Sequence, residues 1–202
     1  MKRAFVFLAL CSSLFAAKPN VVVILSDDYG WGSAGCYGAN PELVSTPNLD
    51  RLAKEGRRFT DANTTSSVCS PTRYSMMTGR YCWRTSLISE VLSTLAPLHI
   101  ETTRLTMASM LKSQGYNCAA VGKWHLGYGT AERCDYTKEL KPGPLEIGFD
   151  YHFSVPSNHG DMAGVYVENH WVLGLNKESP SQPSPPYVTM GQQKGKPTKT
   201  LD

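Results

Sequence analysis

The chain predicts an α/β domain with a largely parallel central sheet flanked by helices, and three observations carry that prediction. Residues 21–25 (VVVIL) form an unbroken apolar, β-branched run, the composition of a strand buried on both faces of a parallel sheet. Candidate strands and helices alternate as strand, helix, strand, helix, strand. Asp27-Asp28 and Lys123-Trp124-His125 lie just beyond the C-terminal ends of two such strands, where parallel sheets gather ligands.

The elements follow in order. Residues 1–17 read as a secretory signal: Lys2 and Arg3 are basic, residues 4–10 are apolar, and Ser12, Ser13, Ala16 and Ala17 are small. The apolar stretch is too short to span a bilayer, so the expectation is export, secreted or periplasmic, with no transmembrane segment. Cys11 opens a lipoprotein alternative, against which Leu10 is large where lipidation signals prefer a small residue. The body of the domain is expected over 18–175. Thr46 as N-cap, Pro47 at the first helical position and Leu49, Leu52 and Ala53 on one face predict a helix closed by Gly56. Residues 58–62 read as a strand. A loop through Ser66 reaches Cys69, and Pro71 starts a second helix containing Met76 and Met77. Met107, Met110 and Leu111 mark a third helix ending at Gly115, followed by a strand over 116–121 and the turn GKWHLG. Residues 165–173 read as a hairpin turning near Glu168-Asn169. Residues 176–202 are rich in Ser, Pro, Gln, Gly and Lys without apolar periodicity, and read as a long loop.

Charge excludes one class of partner. The chain carries 20 basic and 17 acidic residues, a formal net charge of +3, and Lys2 and Arg3 belong to the signal. The near-neutral remainder supplies no electrostatic drive towards nucleic acid or an anionic membrane. Beyond Cys11 and Cys69, the cysteines are Cys36, Cys82, Cys118 and Cys134. They allow two disulfides with three pairings, or free buried thiols.

Asp27 and Asp28 repel one another and would be reconciled by a hard divalent cation such as calcium; alone, the pair also fits a solvated turn. Cys69 stands just ahead of a helix start, where amide N–H groups and the helix dipole favour an anion, and Arg73 offers a permanently charged fork four residues on. By themselves these residues describe an activated thiolate or a disulfide cysteine.

Their flanks are more specific. CSPTRYSMMTGR, from Cys69, resembles the sulfatase signature in which a maturation enzyme oxidises the cysteine to formylglycine. GYNCAAVGKWHLG (115–127) resembles the second signature of that family, and NVVVILSDDYGWG and TPNLDRLAKEGRRF resemble its opening strand, metal-binding acids and first helix. The resemblance spans residues 19–175 and implies an alkaline-phosphatase-like α/β fold. It implies hydrolysis of sulfate esters on a sulfated small molecule or glycan, a formylglycine formed from Cys69 by a formylglycine-generating enzyme, and calcium held by Asp27 and Asp28. It further implies that Arg73 holds the nucleophile, Lys123 binds sulfate, and His125 hydrogen-bonds the nucleophile and helps expel sulfate. Asn158 and His159, in GFDYHFSVPSNHGDMAG, are implied at the rim of the substrate site. Related formylglycine enzymes cleave phosphonate or phosphate monoesters, and a non-catalytic binder of sulfated glycans is a third reading. Family members carry a second metal-binding pair, a further lysine and a further histidine in a later portion; none is assignable here. The chain is therefore expected to be the N-terminal part of the fold, with little turnover by itself.

Overall fold

The computed structural model describes residues 18–158 and 164–175. The signal over 1–17 with Cys11, the candidate His159 and the loop over 176–202 lie outside the described residues. The chain divides between Arg58 and Phe59 into two compact units.

In the first unit, 3-10 turns at Trp31–Ser33 and Gly35–Tyr37 precede helix α1, Pro47–Glu55. Pro47 opens α1 and Gly56 closes it by donating its N–H to the Leu52 carbonyl. Thr46 occupies the N-cap position, but its hydroxyl works elsewhere. It accepts the Gly35 N–H at 2.8 Å and donates to Asp50 Oδ1 at 3.1 Å. The Cys36 N–H donates to the same carboxylate oxygen at 2.7 Å, pinning the second turn to the helix.

Two expected strands do not form. Residues 21–25 adopt no regular structure, with Val22 80% and Ile24 85% exposed. An apolar run becomes a strand only through cross-strand hydrogen bonds, and the described residues of this unit contain no other strand to supply them. Residues 58–62 are likewise irregular.

The second unit holds helices α2, Cys69–Thr78, and α3, Met107–Ser113, and four strands: β1 Ala119–Lys123, β2 Tyr151–Val155, β3 Val167–Glu168 and β4 Trp171–Val172. Helix α2 begins two residues before Pro71, which the first turn tolerates because its missing N–H has no helical partner to lose. Helix α3 ends in a Schellman motif: Gly115 N–H bonds the Lys112 carbonyl and Tyr116 N–H the Leu111 carbonyl, with Gly115 at φ 81°. That cap consumes Tyr116, so β1 starts three residues later than expected.

The sheet order is β1-β2-β3-β4, with β1 and β2 parallel in register from Ala119↔Tyr151 to Lys123↔Val155. The β2–β3 and β3–β4 pairings are antiparallel, so the sheet formed by the described residues is mixed. β3 and β4 are the expected hairpin, turning through Asn169. β2 was not anticipated, because its run YHFSV alternates weakly. The core joins Tyr74 of α2, Ala108 of α3, Val167 of β3 and the connecting Ile100, Leu126 and Ile147. The cysteines Cys82, Cys118 and Cys134 are buried free thiols, and Cys36 is a partly buried one. Burial pushes the Cys134 thiol up to about 11, so it packs as a small apolar residue.

Candidate active site

Cys69 is the first residue of α2. Val68 before it has no side-chain acceptor with which to cap the helix, which leaves this end to offer its positive dipole to an anion. The adjacent Ser70 is fully buried, and its Oγ accepts the Leu92 N–H at 3.0 Å.

The parallel pairing of β1 and β2 delivers the other groups. Beyond the strands the two chains stay paired, Trp124 N–H donating to the Val155 carbonyl at 3.0 Å and His125 N–H to the Pro156 carbonyl at 2.9 Å. Lys123, His125 and Asn158 thus emerge at the same C-terminal strand ends. Lys123 Nζ donates to Cys69 Sγ at 3.0 Å and to Asn158 Oδ1 at 2.7 Å. Arg73 Nη1 donates to the Lys123 carbonyl at 2.5 Å, tying α2 to the end of β1. This side chain acts as a brace between the two elements that carry Cys69 and Lys123.

His125 is buried, and its backbone is left-handed at φ 56°. Histidine is enriched among residues at positive φ, and such a conformation still costs about 1–3 kcal/mol. Spacing two apart on an extended segment would send Lys123 and His125 the same way, but β1 ends at Lys123 and His125 stands in a left-handed turn beyond it. Its Nε2 lies 2.9 Å from the Leu92 carbonyl. Gly127 completes the turn at φ 80°, and a Cβ there would sit 1.9 Å from the Pro97 carbonyl oxygen, so the site's backbone tolerates only glycine at this position.

Cys69, Arg73, Lys123 and Asn158 are therefore one connected cluster, with His125 joined to it through Leu92 and Ser70. The family model described as Sulfatase matches residues 19–178. The chain belongs to the sulfatase family. It is 42% identical over 167 residues to the N-acetylgalactosamine-6-O-sulfatase of Bacteroides thetaiotaomicron, covering 81% of this chain and 31% of that protein. Human steryl-sulfatase is 37% identical over 154 residues, covering 74% of this chain and 25% of the relative. A solved structure from work on glycosaminoglycan metabolism by Bacteroides thetaiotaomicron superposes with a TM-score of 0.75 at 42% identity, over 81% of this chain and 33% of that one. Another, solved with its substrate D-glucosamine-2-N,6-O-disulfate, gives a TM-score of 0.53 at 25% identity, over 75% of this chain and 28% of that one. The fold is thus the alkaline-phosphatase-like α/β fold of the sulfatases. The chain spans between a quarter and a third of the length of the curated relatives it matches.

Asp27 and Asp28, the acids that the resemblance implies for calcium, lie in the first unit, in an irregular segment, with Asp28 left-handed at φ 52°. Their carboxylate oxygens are hard donors of the kind calcium takes, but two residues supply only part of its roughly six to eight ligands. Among the described residues, no group of three or more His, Cys, Asp and Glu is placed to hold a metal ion.

Two contributors escape a reading of sequence. Ser70 sits inside the first signature, yet nothing in its residue type announces that its hydroxyl faces Leu92. The Leu92 carbonyl is backbone and leaves no signal in sequence at all. Asn158 was placed from its position in the GFDYHFSVPSNHG segment alone; its contact with Lys123 gives it a physical task.

Proposed function

We propose that this chain carries the nucleophile side of a sulfate-ester hydrolase site acting on a sulfated sugar. The single observation that carries the reading is the Lys123 ammonium held 3.0 Å from Cys69 Sγ at the N-terminus of α2, in a chain of the sulfatase family. When present, formylglycine formed from Cys69 would supply a hydrated aldehyde oxygen as nucleophile, and calcium at Asp27 and Asp28 would polarise the sulfate oxygens.

The chain's own residues then have these tasks. Lys123 places a positive charge beside position 69 in a partly buried setting, where charge stabilisation outweighs its value in water. Asn158 accepts from the same ammonium and limits its rotation. Arg73, through the Lys123 carbonyl, keeps α2 and β1 in a fixed relation and adds permanent charge near the anion site. His125 is the proton-carrying group of the second signature, set in a buried turn. A sulfated sugar as substrate is supported by the N-acetylgalactosamine-6-O-sulfatase relative and by the structural neighbour bound to a sulfated glucosamine. Export of the mature chain follows from the signal-like residues 1–17.

The test pairs an aryl sulfate with an aryl phosphonate ester of the same leaving group, on protein co-expressed with a formylglycine-generating enzyme. Faster release from the sulfate ester, abolished in Cys69→Ala, supports the assignment. Faster release from the phosphonate ester transfers it to that chemistry. Tight binding of sulfated glycan without release, unchanged in Cys69→Ala, supports a non-catalytic binder.

A further inference from the structure

We propose that Ser70 is a positioning residue for His125, acting through Leu92 to hold the imidazole in the tautomer with its proton on Nε2. The catalytic consequence rests on the sulfate-ester reading; the tautomer does not.

The chain of contacts is short. The fully buried Ser70 Oγ accepts the Leu92 N–H at 3.0 Å, and the Leu92 carbonyl oxygen lies 2.9 Å from His125 Nε2. A carbonyl oxygen only accepts, so Nε2 carries the hydrogen. In the neutral ring Nδ1 then bears the lone pair, and on the sulfate-ester reading it is the nitrogen left to accept a proton.

Leu92 needs the help of Ser70 because it lies in no helix or strand. What aims its carbonyl is its N–H on Ser70, its side chain against the core, and the turn in which Ala96 N–H donates to the Ser93 carbonyl at 2.9 Å. His125 has its backbone fixed separately, by its N–H on the Pro156 carbonyl and by its left-handed φ. Backbone and ring are therefore held by different elements: β2's extension sets where His125 stands, and α2 sets which nitrogen keeps the proton. Removing the Ser70 hydroxyl deprives a partly buried N–H of its acceptor, frees the Leu92 carbonyl to turn, and removes the bias between tautomers. The residue next to the nucleophile position would thereby also set the tautomer of the proton carrier.

The experiment uses the whole chain with 15N-labelled histidine and long-range proton–nitrogen NMR at neutral pH. Wild-type His125 is expected to show one tautomer, Nε2 as the protonated nitrogen and Nδ1 as the lone-pair nitrogen. In Ser70→Ala, with the backbone spectrum otherwise preserved, the Nδ1–H form is expected to rise from undetected to a comparable share. Ser70→Thr, which keeps the hydroxyl, is expected to retain the wild-type tautomer. A wild-type ring protonated on Nδ1 overturns the proposal, as does a Ser70→Ala ring indistinguishable from wild type. Should Ser70→Ala fail to fold, mixed tautomers in a folded Ser70→Thr overturn it as well. None of these readouts requires turnover, so a protein inactive on sulfate esters still decides the tautomer.

Discussion

At the scale of single residues, the Lys123 ammonium is shared between Cys69 Sγ and Asn158 Oδ1. On the proposed sulfate-ester reading, Lys123→Ala removes the charge outright, and the turnover of an aryl sulfate that depends on Cys69 is expected to fall on the order of a hundredfold or more, the usual cost of losing one preorganised donor. Asn158→Ala only loosens that charge, so a fall of about tenfold is expected. Because Asn158 works through Lys123, the double substitution is expected to be no slower than Lys123→Ala, a non-additivity that steady-state kinetics reads directly. Additive losses would give Asn158 a separate contact with substrate. A different residue governs acid stability. His152 is fully buried among Trp124 and Tyr128, and burial lowers its pKa from 6.5 to about 4. The fold thus favours the neutral ring; this stabilisation is complete above the unfolded value near 6.5 and is lost as pH falls towards 4. At about 1.4 kcal/mol per pH unit the loss is about 3 kcal/mol. His152→Phe keeps the aromatic contacts and removes the titration. Urea midpoints measured between pH 7 and pH 4 are expected to fall less in this variant than in wild type.

At the scale of elements, helix α3 shows how caps can be read and where they exceed their usual worth. Thr106 Oγ1 accepts the Ser109 N–H at 3.0 Å while Ser109 Oγ accepts the Thr106 N–H at 2.8 Å, a reciprocal capping box. The Thr106 hydroxyl also donates to the Ile147 carbonyl at 2.5 Å, in a buried position. A cap alone is worth about 1 kcal/mol. Thr106→Ala also leaves a buried carbonyl short of its donor, so a loss of about 2–3 kcal/mol is expected in denaturant unfolding. Helices α1 and α3 were legible because Pro47, Gly56 and Gly115 punctuate them and their apolar residues repeat at helical spacing. The hairpin was legible from its bounded apolar run. The run over 21–25 was misleading for a physical reason: its composition reports how a strand there would be buried, whereas strand formation depends on a partner the unit's described residues do not contain. In the site, Cys69, Arg73, Lys123 and His125 were singled out by the likeness of their two segments to sulfatase signatures, since residue type and spacing alone left other readings open. That likeness did not disclose the left-handed turn at His125 or the Leu92 carbonyl that receives its ring, because neither is written in side-chain chemistry.

At the scale of the whole molecule, the sulfatase family supplies the fold and this chain supplies one connected cluster within it. Asp27 and Asp28 offer calcium two carboxylates, so binding by this chain is expected to be weak, with Kd about 10⁻⁴–10⁻³ M, and abolished by Asp27→Ala in calorimetry. Tight binding that survives Asp27→Ala would place the ion elsewhere. The proposed function depends on one chemical event more than on any contact: conversion of Cys69, which the likeness of CSPTR to the sulfatase signature implies. Peptide mass spectrometry of the segment around Cys69, after aerobic co-expression with a formylglycine-generating enzyme, measures that event directly. The account predicts an aldehyde in place of the thiol, reactive towards a hydrazide probe, whereas a fully retained thiol under those conditions would contradict it.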